Sequence, residues 1–199
     1  MEHNIMWSPW SESGLEHVRL LLKDQEIVAD SVIIGVHNHI PFSLQYNIVC
    51  DSNWRVIELF LKLLGGNGKS INILADGQGH WTNVIGTPIS SLEGCIDIDI
   101  SATPFTNTLP IRRLRLRPGQ SAELLVAYVL IPEMELKSVR QRYTCLESNA
   151  DGGLYKYEGL ESGFSAELPV DSDGLVIDYP GLFKRVWPTA DISLYSDIQ

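Results

Sequence analysis

Asp97, Asp99 and the run Arg112, Arg113, Arg115 and Arg117 come closest, by type and spacing, to a chemical device. Asp97-Ile98-Asp99 sets two carboxylates on one face of an extended strand, about 6–7 Å apart by the strand rise. Such a pair can hold a divalent ion, divide acid and base roles, or contact a polar ligand. It can also pair with the downstream arginines, because neighbouring carboxylates repel and a guanidinium relieves that repulsion. Arg113, Arg115 and Arg117 share parity, so an extended backbone would line them along one face. There they pair with the aspartates, lie in solvent, or grip an anionic head group. A metal-assisted carbohydrate-active enzyme centred on Asp97 and Asp99 would need more: a nucleotide-sugar fold of βαβ units, or further groups around a cleft.

Other candidates are weaker in pattern. Gly65 to Ser70 ends in Gly-Lys-Ser, as a phosphate-binding loop does, but that loop needs glycine where Leu63 stands and a helix directly after. Ser70 to Ala75 alternates instead, so the segment reads as a hairpin turn. His37 and His39 share a strand face, yet two imidazoles lack the further ligands of a metal site and read more plainly as solvated. Trp54 and Trp81 each follow a turn. Rings there either stack on the C–H faces of a sugar or glycerol group, or pack the end of a barrel. No GxSxG, HExxH or GxGxxG pattern occurs. Binding rather than catalysis is expected, with activity left open.

Composition narrows the partners. Fifteen Lys and Arg stand against 25 Asp and Glu, a net charge of −10, and that field repels nucleic acid. Cys50, Cys95 and Cys145 are odd in number and lack CxxC spacing, which suits reduced thiols. Met1 to Trp10 shows no basic start followed by an apolar run, so no export signal is expected. The apolar stretch Leu124 to Ile131 is far short of the about 20 residues a spanning helix needs. A cytoplasmic location, no membrane span, no metal and no cofactor are the expectations.

Strands must position these groups. From Val28 to Ile48 the even positions are mostly apolar (Val32, Ile34, Phe42, Leu44, Tyr46) and the odd ones mostly polar, broken by a turn at His37 to Pro41. Val18 to Leu22, Ile71 to Ala75, Ile96 to Ile100 and Phe164 to Val170 repeat the pattern. Leu124 to Ile131, apolar on both faces, reads as a doubly covered strand. Turn-forming clusters such as Asp51-Ser52-Asn53, Asp76-Gly77-Gln78-Gly79 and Asp171-Ser172-Asp173-Gly174 separate the runs. Thr108 to Leu114 and Pro180 to Val186 can each make a helical turn. The expected fold is one all-β, mainly antiparallel domain over residues 1–199, a sandwich or open barrel.

One string is more specific. Gly94-Cys95-Ile96-Asp97-Ile98-Asp99-Ile100-Ser101-Ala102-Thr103-Pro104-Phe105-Thr106-Asn107-Thr108-Leu109-Pro110-Ile111-Arg112-Arg113-Leu114 resembles the core signature of the bacterial "putative glycolipid-binding" family, formerly a domain of unknown function. Phe42 to Tyr46, Asp76 to Trp81, Arg140 to Thr144 and Gly174 to Phe183 resemble it too, covering about Gly14 to Val186. The resemblance implies a curled, many-stranded sheet, similar to bacterial lipoprotein carriers, holding a lipid or glycolipid in its concavity. The apolar even-parity residues would take the acyl part. Trp54, Arg55, Trp81, Asp97, Asp99, Phe105, Asn107, Arg112, Arg113 and Tyr143 are the candidate ligand-binding residues. A scaffold with no small ligand is the other alternative, and free sheet edges allow a homodimer.

Overall fold

Alternating residues make two sheets, and side chains that cap their own backbone end the strands. The computed structural model describes residues 1–65 and 68–189, so part of the hairpin expected at Gly65 to Ser70 lies outside the described residues. Strands β1 (Glu2–Pro9), β2 (Gly14–Leu22), β3 (Glu26–His37), β4 (Ile40–Asp51), β5 (Val56–Leu63), β6 (Ser70–Ala75) and β7 (Trp81–Asn83) form an antiparallel meander. A second sheet contains β8 (Asp97–Ile100), β9 (Ser121–Leu130), β10 (Glu135–Asn149), β11 (Gly152–Gly159) and β12 (Ser165–Asp171), in the order β12-β11-β10-β9-β8. Among the described residues only β8 and β9 run parallel, and their connection carries the helix α1 (Thr108–Leu114). Finally β13 (Asp178–Tyr179) and β14 (Phe183–Trp187) add to the free side of β1, making nine strands that curl into a half-barrel. The expected all-β class is correct.

Four turns share one device. Asp51, Asp76, Asn83 and Asp171 each accept, on one side-chain oxygen, the backbone N–H groups two and four residues on. The residue three positions on has positive φ in every case: Trp54 (63°), Gly79 (102°), Gly86 (82°) and Gly174 (75°). Glycine meets that demand without cost, whereas a bulky residue loses on the order of 1–2 kcal/mol. Trp54 is the exception among the four.

The β3–β4 hairpin changes the expected parity. His37 pairs with Ile40 across a two-residue turn, with Asn38 and His39 both at positive φ, as a type I′ turn requires. Odd residues of β3 therefore sit opposite even residues of β4. Ala29, Ser31 and Ile33 point inward with Leu44, Tyr46 and Ile48, while Val32 and Ile34 are exposed. His39 belongs to the turn, so the two histidines do not share a strand face. Pro180 to Val186 is likewise a turn leading into β14, held by the β1 ladder, and not helical.

The concavity is filled. Trp7, Leu44, Tyr46, Leu59 and Leu61 of the half-barrel pack against Leu92, Cys95, Ile98, Ile100, Phe105 and Leu109 in one continuous core. A second core, rich in tyrosine, lies between β10–β12 and β13 and includes Tyr143, Tyr155, Tyr157 and Tyr179. The family-like string thus supplies the plug of the half-barrel.

Candidate functional site

Open space survives where the two sheets separate at one end of the half-barrel. One cavity of about 300 Å³ is walled by apolar side chains, among them Trp7, Ile33, Phe42, Leu130 and Ile131. A neighbour of about 590 Å³ is walled by polar and aromatic groups, including Asp99, Gln141, Lys137, Tyr157 and Tyr179. Ser101, Tyr128, Leu182 and Phe183 line both, so the two are lobes of one cleft divided by these side chains. The β13–β14 turn positions Leu182 and Phe183, and β9 positions Tyr128.

Each lobe contains one carboxyl withdrawn from the surface, Glu16 buried and Asp99 half-buried. Glu16, on β2, is 3% exposed and opens on the apolar lobe. Its Oε1 accepts from Ser31 Oγ (3.0 Å) and Tyr46 Oη (2.7 Å), and its Oε2 from Thr103 Oγ1 (2.6 Å). Burial pushes its pKa up to about 7, although the three hydroxyl donors pull against that. Asp99 stands in the polar lobe, accepting from Gln141 Nε2 (2.6 Å) and Thr106 Oγ1 (3.1 Å), and burial raises its pKa too. At the rim, Lys137 Nζ lies 5.8 Å from the centre of the Tyr128 ring, and Arg140 is paired with Glu161 at 2.9 Å.

Of the ten residues expected to bind ligand, only Asp99 lines the cleft. Asp97 faces the other way in function: Arg113 donates to it twice, Nε to Oδ1 at 3.0 Å and Nη2 to Oδ2 at 2.5 Å. Trp81 is buried and donates Nε1 to the Cys95 carbonyl (2.7 Å). Phe105 fills the half-barrel, and Arg55 is exposed beside the Asp76 turn, its Cβ near Gly77. Trp54 is buried beneath Arg112, whose guanidinium carbon lies 5.1 Å from the ring centre. Asn107 and Tyr143 bond each other in the interior. Phe105 and Asn107 belong to the string that became the plug, whereas Trp54, Arg55, Trp81 and Tyr143 come from other segments, and none of these six lines the cleft.

The Asn107–Tyr143 bond gives a direct check. Tyr143 Oη donates to Asn107 Oδ1 at 2.8 Å, with both residues buried. Tyr143→Phe strands that buried acceptor and is expected to cost about 1–3 kcal/mol in urea denaturation. Ligand affinity in the cleft should not change, and a loss of binding without a loss of stability would contradict the packing role.

Sequence reasoning missed Glu16, Trp7, Tyr128, Gln141, Tyr157 and Tyr179. Glu16 had a readable signal: it stands in register with Val18 and Leu20, the buried side of β2. A lone carboxylate at a core position calls for partners. The others come from strands distant in sequence, and only the sheet order gathers them.

A family model described as "Putative glycolipid-binding" matches residues 4–185. The chain belongs to this family. A crystal structure of a DUF1089 family protein from Pseudomonas aeruginosa is similar to this family member at TM-score 0.76 and 42% identity, covering 90% of this chain and 92% of that one. No curated protein sequence matches it significantly. Among the described residues of this glycolipid-binding family member, no helix is long and apolar enough to cross a membrane.

Proposed function

We propose that the protein binds one amphipathic lipid across the two lobes, the alkyl chain in the apolar lobe and a hydroxylated head group in the polar one. The carrying observation is that the two cavities adjoin and differ in chemistry, one apolar and the other ringed by Tyr157, Tyr179, Gln141 and Asp99. Aromatic faces take the C–H side of a sugar, while amide and carboxylate groups take its hydroxyls. This reading moves the ligand from the concavity to the mouth of the half-barrel, because the concavity is filled. Family membership supports the ligand class.

Octyl glucoside below its micelle concentration, decanoate and free glucose are the probes, followed by intrinsic fluorescence, since Trp7 walls the apolar lobe. Octyl glucoside should bind in the micromolar range and glucose should not. Leu182→Asp places a charge between the lobes at a half-exposed turn, where folding is spared, and should weaken octyl glucoside at least ~10-fold. If neither alkyl probe binds below millimolar, the cleft is not a lipid site.

One observation favours a second, catalytic reading. Glu16 and Asp99 are carboxyls raised by burial that open on adjoining lobes, and a carboxyl that keeps its proton toward neutral pH is what a general acid needs. It transfers the enzymatic alternative from Asp97, which is held by Arg113, to Glu16. Release of nitrophenol from nitrophenyl glycosides, abolished by Glu16→Gln, is the result that would establish it; no release would leave binding alone.

A further inference from the structure

At the far end of the second sheet lies a third cavity, of about 490 Å³, walled by Arg112, Arg115 and Arg117. It shares no lining residue with the cleft, and the tyrosine-rich core separates the two. The end of α1 and the left-handed cap that follows it decide which arginines meet there. Arg112 in the last turn of α1 and Arg115 at its cap both line the cavity, whereas Arg113 turns inward to Asp97. The expected grouping of Arg113 with Arg115 and Arg117 assumed an extended backbone, and the helix breaks it.

Among the described residues, none of the three cavity arginines has a carboxylate within ion-pair distance. Asp171 lines the same cavity, but its Oδ2 is paired with Arg185 and its Oδ1 is occupied by the N–H groups of Asp173 and Leu175. In a chain of net charge −10, three guanidinium groups therefore gather where no carboxylate answers them. Like charges held together repel, and a multivalent anion removes that cost.

The groups are also held in place. Arg112 lies over Trp54, the residue that occupies a positive-φ turn position where its three counterparts have glycine. From the other side Gly174 backs it: a Cβ there would meet Arg112 Cδ at 3.0 Å. Among the described residues, the one protein hydrogen bond of the Arg112 guanidinium N–H groups is a long 3.5 Å approach to the Ser172 carbonyl. Arg115 caps α1 in the left-handed region, φ 50°, where glycine is the usual residue. The backbone of Arg117 is tied to Gln120, and Gly119 N donates to Cys145 O of β10 (2.8 Å).

We propose that this cavity is an anion site that receives a phosphate group, carried by a soluble phosphorylated molecule or by a lipid head group. Guanidinium edges match phosphate oxygens in pairs, and the half-buried Arg112 supplies the oriented one.

The test uses the full chain with two probes. Inorganic pyrophosphate is titrated calorimetrically at low salt, and vesicles of phosphatidylcholine with and without phosphatidate are sedimented with protein. Arg115→Gly and Arg117→Ala are compared with the parent chain. Arg115→Gly removes a guanidinium and also relieves the left-handed cap, so it should melt no lower than the parent and yet bind roughly tenfold more weakly. Pyrophosphate binding that falls in both variants supports a soluble ligand. Sedimentation only with phosphatidate, lost in both variants, supports the lipid source. Absence of binding to both probes, or binding that neither variant weakens, overturns the site. Octyl glucoside affinity in the cleft should be the same in all three proteins, so the two sites fail independently.

Discussion

Arg113→Ala should destabilise the protein by about 3–5 kcal/mol, as measured by urea denaturation at neutral pH, because it strands Asp97 in the interior. The Asp97 side chain is 1% exposed and Arg113 15%, and two parallel hydrogen bonds join them. Burial pushes the Asp97 carboxyl above its ordinary range, and the hydrogen bonds and charge of Arg113 pull it back. Without Arg113 the upward push is unopposed. A carboxyl raised in the folded state contributes stability at low pH that is lost as pH climbs through its folded pKa. The deficit of Arg113→Ala should therefore be smallest in mild acid and largest in mild alkali. Adding Asp97→Asn should restore much of it, since the stranded charge is gone. A deficit under about 1 kcal/mol that ignores pH would be the behaviour of an exposed pair.

Glu16→Gln should flatten the pH dependence of stability between about 4.5 and 7. Glu16 has an ordinary value of 4.5 and a folded value of about 7. Between these the folded chain keeps a proton that the unfolded chain releases, so the stability present below 4.5 is lost as pH rises through 7. The shift from 4.5 to about 7 amounts to about 3 kcal/mol. Glutamine keeps an acceptor for Ser31 and Tyr46 and carries no charge. Above pH 7 the variant should be the more stable protein, by an amount approaching that loss. Denaturant midpoints across the pH range decide it, and identical slopes for variant and parent would place the titration elsewhere. Such excess stability in a variant is the mark of a residue kept at a cost to folding, and Glu16 lines the cleft.

Much of the fold was legible. Period-two alternation at Val18 to Leu22 located β2, since a half-buried strand must alternate; the same pattern at Ile96 to Ile100 located β8, although Asp97, on the side expected to be wet, is buried. The doubly apolar Leu124 to Ile131 marked β9, which is flanked by β8 and β10. Legibility failed at the β3–β4 hairpin because one parity was carried through a two-residue turn. Across such a turn the inward set changes from odd to even, and composition alone does not show that. The site was far less legible. Trp81 was singled out for its type and its turn, and Phe105, Asn107 and Tyr143 with the family-like segments, yet neither signal tells a side chain satisfied in the interior from one facing a ligand.

By itself the sequence determined the all-β class, about half of the strands, most of the turns between them and the family, because these depend on residues close along the chain: alternating side chains, Asx-capped loops and one long string. Only the tertiary structure decided which surface is open. Whether a polar side chain faces a cavity depends on what packs against it from elsewhere, and here the plug of the half-barrel, the cleft at its mouth and the arginine cavity are all assembled from segments far apart in the chain.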